Sequence, residues 1–425
     1  GPQRHICGER TARGATLLAT LTGNVGVRGG WAAGYGVAVT PDLRKTIAGP
    51  SLTTNPVQAK INITNWVQAC EDARLVTPDN GLLNAEKLDT EIRIIFSLAG
   101  NYMANQNPDI QHAAEVLSDE NKVKFIVCSD LYLTPSAKYA DLLLPETSFM
   151  ERWNIGGTWG TGDYIILSEK LIEPEFERRT DYDWLCDVAE KLGIRAQFSE
   201  GRDEKRWIDF LLNDARKKRP QDNLPSFTEL LSKRRHLLKG PSHTNYVAFE
   251  ENIRDPQAHP FPTPSGKIEI FSKRLYDKHN KEIPALSHYV PAIEGPEDPL
   301  TSRYPLQLIT WKGRNRANST QFANPWLQEV QQQELWMNPI DAERRQIQQG
   351  DRVRIENGRG MTEIGVKLTQ RIMPGVVALQ AGAWWQPNEK GIDQGGCANV
   401  LTSARSTALA HGNAHQTLLV EVKKA

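Results

Sequence analysis

The spacing of apolar and polar positions divides the chain into stretches of different character. Between Thr11 and Leu21, the residues Ala12, Ala15, Leu18 and Ala19 fall on one stripe at helical spacing, and Gly23, Gly26, Gly29 and Gly30 follow, so a helix and its stop are predicted. From Trp31 to Asp89 there is little periodicity and there are several Pro and Gly; only Asn65 to Ala73 reads as a short helix, and the stretch is expected to be a long surface excursion. The pattern then becomes α/β. Ile92, Ile94, Ile95 and Phe96 make a short buried strand ending at Ala99-Gly100-Asn101, Ile110 to Leu117 is helical, Lys124 to Cys128 is a second strand ending at Ser129-Asp130, and Leu142 to Leu144 a third that closes at Pro145. Short β-branched runs separated by helical spacing predict parallel strands joined by right-handed crossovers. Asp181 to Leu192 adds a helix with Trp184, Leu185, Val188 and Leu192 on one face.

Residues from about Arg195 to Glu297 are charged and Pro-rich, with a helical piece at Lys205 to Arg216 and a strand at Ile268 to Phe271, and read as a peripheral insertion. After Tyr304 the pattern turns to β. Leu306 to Thr310 is a strand, and Asn338-Pro339 starts a helix to Arg345 with a favoured cap and first-turn pair. Arg352 to Glu356 and Met361 to Leu368 alternate around Asn357-Gly358, a hairpin signal. Val376 to Leu379 and Thr417 to Val422 are further strands, so a small closed barrel is expected.

Composition narrows the classes. Lys plus Arg and Asp plus Glu both number 51, which leaves none of the basic excess of a nucleic-acid binder. No apolar run approaches a membrane span. The five cysteines are widely spaced with no C-x-x-C pair, so an iron–sulfur cluster or structural zinc is not expected here and the thiols are expected to be buried hydrophobes.

Candidate chemistry sits at the strand tips, because ligands of open parallel sheets lie beyond the carboxyl ends of the strands. Asp130 has the chemistry to accept two hydrogen bonds from a guanine edge or a ribose diol; a helix cap is the plain alternative. Asn101 and Gln106, at the neighbouring tip, donate and accept in one plane and suit a pterin or purine edge, or else simply build a turn. The run Gly156 to Asp163 resembles a phosphate cradle but lacks the Lys and the flanking elements of a P-loop, and is expected to be a loop lying close to another surface. His411 and His415 are four apart, but Gly412-Asn413 between them argues against a helical metal site.

Two ordered motifs go further. Gly1-Pro2-Gln3-Arg4-His5 with Leu21-Thr22-Gly23-Asn24-Val25-Gly26, and the run from Asp130 through Thr134-Pro135-Ser136-Ala137 to Asp141-Leu142-Leu143-Leu144-Pro145, resemble molybdopterin oxidoreductases of the dimethyl sulfoxide reductase family. Thr263 to Glu269, Trp336-Met337-Asn338-Pro339, Gly350-Asp351, Met373 to Val377 and Gly395 to Thr402 extend the resemblance over nearly the whole chain. It implies an α/β fold with a Rossmann-like parallel-sheet domain plus a C-terminal six-stranded, double-psi type β-barrel. The segments expected are 1–90 closing a cofactor domain, 91–195 binding a guanine dinucleotide, 196–300 inserted, and 301–425 the barrel.

The cofactor implied by the resemblance is Mo-bis(molybdopterin guanine dinucleotide). Asp130 would hold a guanosine, Asn101 and Gln106 its phosphate and ribose path, Gln3 and His5 a pterin near the metal, and Asn399, Asn413 and Gln416 a pterin from the barrel side. Arg316 and Ser319 match a family loop reading Arg-x-His-Ser, in which Asn318 replaces the His. The chain would be the carboxyl-terminal half, with the metal ligand and a [4Fe-4S] cluster in its amino-terminal half and no catalytic residue of its own. The expected reaction is reduction of S-oxides or N-oxides such as dimethyl sulfoxide in anaerobic respiration, in the periplasm, with an iron–sulfur electron-transfer subunit and a membrane anchor subunit as partners. A selenate, nitrate, thiosulfate or formate enzyme, or a non-catalytic scaffold of the same fold, are the alternatives.

Overall fold

A computed structural model describes residues 4–30, 47, 55–157, 164–238 and 247–425. The first helix, α1 (Glu9–Leu21), forms where the spacing predicts it, but none of its residues is buried, and Leu18 and Leu21 are 64% and 75% exposed. It is held instead by arginines: Arg13 donates to the Pro284 and Ala285 carbonyls, both at 2.7 Å, and Arg10 to that of Val290 at 2.8 Å.

The stretch expected to be a surface excursion is packed over 55–92. A short antiparallel pair, β1 (Lys60–Ile61) with β2 (Leu82–Leu83), and the helix α2 (Trp66–Glu71) bury Ala69, Val76 and Leu82 in one cluster. Short elements joined by tight turns carry no periodicity long enough to read, which is why the sequence hides them.

Three parallel strands follow, β3 (Ile94–Leu98), β4 (Phe125–Asp130) and β5 (Leu142–Pro145), in that order across the sheet. The crossover from β3 to β4 is α3 (Ile110–Leu117), whose Ile110, Ala113, Val116 and Leu117 pack with Val67, Cys70 and Ile126. The helix α4 (Asp181–Lys191) buries Trp184, Cys186 and Ala189, whereas Val188 and Leu192 of the expected face are exposed. A second, antiparallel sheet that the pattern did not announce joins β6 (Asn154–Gly157), β7 (Tyr164–Ser168) and β8 (Arg235–Leu237). Gly156 and Gly157 thus belong to a strand, and residues 158–163 of the glycine-rich run lie outside the described residues. Ile165 and Leu167 of β7 pack against Ile208 and Leu212 of the helix Glu204–Lys218, so the region after Arg195 contributes a core of its own. The strand expected at Ile268 to Phe271 reduces to one bridge, Phe271 to Leu286.

The carboxyl-terminal module is a closed barrel of six strands: β9 (Leu306–Trp311), β10 (Glu334–Met337), β11 (Arg352–Glu356), β12 (Met361–Leu368), β13 (Val376–Gln380) and β14 (Leu419–Lys424). Their order around the wall is β10-β12-β11-β14-β9-β13, with β9/β13 and β10/β12 parallel and the remaining pairs antiparallel. Inward residues alternate along each strand, and Leu308, Leu335, Met337, Val353, Ile355 and Leu379 are fully buried. Asn338 caps the short helix Pro339–Glu343, its Oδ1 accepting from Ile340 N at 3.0 Å while its Nδ2 donates to Ile372 O at 2.6 Å.

Candidate functional site

The parallel strands end together at Leu98, Asp130 and Pro145, and the chain leaves β3 through Ala99, whose φ of 51° is unusual for a residue other than glycine. Ala99 N donates to Ser129 O at 2.8 Å, so the two strand tips are tied. One wide helical turn follows, Tyr102–Gln106. It is fixed from the next tip: Asn101 Oδ1 accepts from Ser136 N (3.2 Å) and Oγ (3.0 Å), and Ala104 N donates to Ser136 Oγ at 3.0 Å.

This turn meets the barrel along a polar seam. Asn105 Oδ1 accepts from Trp385 N at 2.8 Å, Asn105 O accepts from Asn399 Nδ2 at 2.8 Å, Gln106 Nε2 donates to Ser319 Oγ at 3.1 Å, and Asp109 N donates to Thr402 O at 3.1 Å. On the barrel side Gln416 is clamped to β9, accepting from Thr310 N at 2.9 Å and donating to Thr310 O at 2.7 Å. Gly382, at φ +94°, lies so close to Asn318 that an added Cβ would stand 1.7 Å from its carbonyl oxygen; only glycine lets these two segments meet.

A cavity of about 630 Å³ opens along this seam. Gln106, Ser319, Asn399, Asn413 and Gln416, all candidates from sequence, line it together. Tyr102, Trp311, Lys312 and Arg4 line it as well, none of them singled out from sequence, and so does His415, which the sequence offers only as a metal ligand of a site it argues against. Their signals were present but weak: Arg4 lies inside the first motif, Lys312 follows the apolar end of β9, and His415 adjoins Gln416.

The other candidates lie elsewhere. His5 lines a separate cavity of about 530 Å³ with Cys7, Arg10 and Tyr289. Asp130 and Asn101 do not line the large cavity. Asp130 Oδ1 accepts from Leu131 N at 2.7 Å, and burial raises its pKa above the ordinary carboxylate value. Tyr132, two residues on, lines a third pocket with Trp326 and Trp384. Arg316 is buried, bonded to Gln333 Oε1 and the Ala381 carbonyl, and lies over the Phe322 ring; burial pulls it down to about 10. Gln3 lies outside the described residues. All five cysteines are free and buried, and no cluster of metal-ligating side chains occurs among the described residues.

The donor set of the large cavity fits a polar, planar, anionic ligand. Trp311 Nε1, the Tyr102 hydroxyl and Asn413 Oδ1 are buried there without a hydrogen-bond partner in the protein. Each such atom costs about 1–3 kcal/mol unless a ligand or water satisfies it. Burial, with Arg4 and Lys312 nearby, pushes His415 down to about 4, so it is a neutral donor or acceptor at pH 7. The volume is that of a small-molecule or cofactor site.

These features define a polar, cation-bearing cavity between a parallel sheet and a β-barrel. Residues 1–191 match the molybdopterin oxidoreductase family and residues 306–419 the molydopterin dinucleotide binding domain, and the chain belongs to the molybdopterin oxidoreductase family. It is 40% identical over 437 aligned residues to dimethyl sulfoxide reductase DmsA of Escherichia coli, across 100% of this chain and 52% of that protein. With dimethyl sulfoxide/trimethylamine N-oxide reductase of Rhodobacter capsulatus it shares 35% identity over 76% of this chain and 41% of the relative. The chain thus spans about half the length of the curated relatives it matches. Among solved structures, acetylene hydratase from Pelobacter acetylenicus has the same fold, with a TM-score of 0.62 and 17% identity over 86% of this chain and 46% of that one.

Proposed function

We propose that the seam cavity holds part of a bis(molybdopterin guanine dinucleotide) cofactor and that the complete protein reduces S-oxides or N-oxides such as dimethyl sulfoxide. The observation that carries this reading is the set of buried, unpartnered polar atoms, Trp311 Nε1, Tyr102 OH and Asn413 Oδ1, around one cavity where the two family-matched modules meet. Asn399, Asn413 and Gln416 would hold a pterin from the barrel side, with Ser319 beside them and Gln106 lining the phosphate and ribose path. Asp130 would take a guanosine end, Asn101 would brace its tip, and Arg316 would fix the Ser319 loop. Gln3 and His5 would approach the second pterin. When bound, the molybdenum supplies oxygen-atom transfer; the chain's own part is to orient the organic arms and exclude water.

The metal ligand and a [4Fe-4S] cluster are assigned to an amino-terminal half, with an iron–sulfur electron-transfer subunit and a membrane anchor as partners and the periplasm as location. Among the described residues no helix is long and apolar enough to cross a membrane. The amino-terminal half has a surface to occupy: Ile94, Phe96 and Phe125 share one face of the parallel sheet and are all exposed.

The test is metal and nucleotide analysis of the full-length protein with dye-coupled reduction assays. Molybdenum with two guanine nucleotides per metal, and turnover of dimethyl sulfoxide or trimethylamine N-oxide, are expected. Molybdenum-free protein would support a scaffold, and turnover of selenate, nitrate, thiosulfate or formate alone would reassign the substrate.

A further inference from the structure

The ionisable side chains around the seam cavity are unbalanced. Arg4 and Lys312 both line it, and among the described residues no lining residue is Asp or Glu. Each cation is delivered by a segment anchored to the barrel. The Arg4 carbonyl accepts from Gln416 N at 3.0 Å, Ile6 N donates to Thr417 Oγ1 at 3.1 Å, and Lys312 Nζ is held by Asn318 Oδ1. Asn318, the residue that departs from the family's loop pattern, therefore sets where the ammonium points. Partial loss of solvent around Lys312 and the charge of Arg4 both lower its basicity, so each cation feels the other. Two like charges brought together without a counter-charge are unfavourable, and an anion between them turns that repulsion into attraction.

We propose that Arg4 and Lys312, with His415 as a hydrogen-bonding neighbour, form an anion pole that grips a phosphate group of the bound dinucleotide and so sets which way round the ligand lies. This rests on the cavity being the cofactor site. A guanidinium fork and a mobile ammonium are the two side chains suited to phosphate oxygens, one for geometry and one for charge. Asn399, which also lines the cavity, carries no charge and suits the uncharged ring system.

Inorganic pyrophosphate is the probe, titrated calorimetrically into full-length protein prepared without cofactor. Binding that weakens with added salt is expected, with affinity about tenfold lower in Lys312→Gln and in Arg4→Gln, the loss of one charged contact each, and largely kept in Lys312→Arg. Both side chains are exposed, so these variants should fold with unchanged unfolding midpoints. Prior loading with cofactor should abolish pyrophosphate binding. No pyrophosphate binding, equal affinity in wild type and both Gln variants, or undiminished binding to the loaded protein would each overturn the pole. Nucleotide occupancy in Asn399→Ala keeps the two readings apart. If the pole fails while Asn399→Ala still loses nucleotide, the cavity remains the cofactor site; if occupancy ignores Asn399→Ala, that reading fails instead.

Discussion

Gln416 does for Thr310 what a neighbouring strand would do, satisfying its N–H and C=O, and Nε2 additionally donates to Thr310 Oγ1 at 2.6 Å. Gln416→Ala would leave both backbone groups unpaired at about 1–3 kcal/mol each. A clear fall in the unfolding midpoint is expected by calorimetry, and an unchanged midpoint would show that water replaces the amide. A second residue-level device is the acid pair beneath the β4 tip. Ser129 Oγ lies 2.6 Å from Asp181 Oδ1 and 3.2 Å from Glu146 Oε2, and Arg152 bonds Glu146 at 3.2 Å. Burial, helped by Asp181, pushes Glu146 up to about 6. Because the folded state then binds a proton more tightly than the unfolded chain, the stability this group contributes is fully present below its ordinary value and is lost as pH rises through about 6. Asp181 is lowered and acts only at more acid pH. Glu146→Gln should flatten the fall in denaturation midpoint between pH 5 and pH 7; an identical slope in the variant would contradict the assignment. Neither residue was legible in the sequence, since a carboxylate beside a proline or at a helix start looks like any solvated acid until tertiary contacts bury it.

At the scale of elements, the loop from Gln386 to Cys397 turns on one carboxylate. Asp393 is 0% exposed and accepts four hydrogen bonds: from Gln386 N (2.8 Å), Gly395 N (3.1 Å), Thr362 Oγ1 (2.6 Å) and Cys397 N (2.7 Å). Asp393→Asn puts an NH2 against backbone donors, and by the cost of unpaired buried groups should destabilise by about 2–4 kcal/mol and loosen Asn399. Chemical denaturation and hydrogen exchange of 395–402 would read it, and a wild-type exchange pattern would refute it. The barrel elements were the readable ones. β11 and β12 pair in the register their alternation implies, with Glu356 opposite Met361 across the hairpin turn, and Asn338 caps as its motif requires. β10 was missed because four residues following a run of Gln, three of them consecutively apolar, show no strand alternation. β6 and β8 were missed because glycine and charge occupy strand positions that tertiary pairing alone justifies. For α1 the pattern was right about the helix, yet its apolar stripe stays exposed.

At the scale of the whole molecule, five of the ten sequence candidates gather on one cavity because chain segments more than two hundred residues apart, Gln106 and Ser319 among them, meet at a single seam. Sequence motifs pointed to both banks; no spacing within either module could show which residues face each other. A ligand bridging the banks should stabilise both together by mass action, about 2.7 kcal/mol at a hundredfold excess over its dissociation constant. Full-length protein with cofactor should therefore unfold at a higher temperature than without it, in one step across sheet and barrel; equal midpoints would argue against a bridging ligand. The most direct measurement is an experimental structure of the full-length protein loaded with cofactor. Dinucleotide atoms are expected in the seam cavity within hydrogen-bond distance of Trp311 Nε1 and Asn413 Oδ1. A cofactor bound elsewhere, with only water against those two atoms, would contradict that expectation.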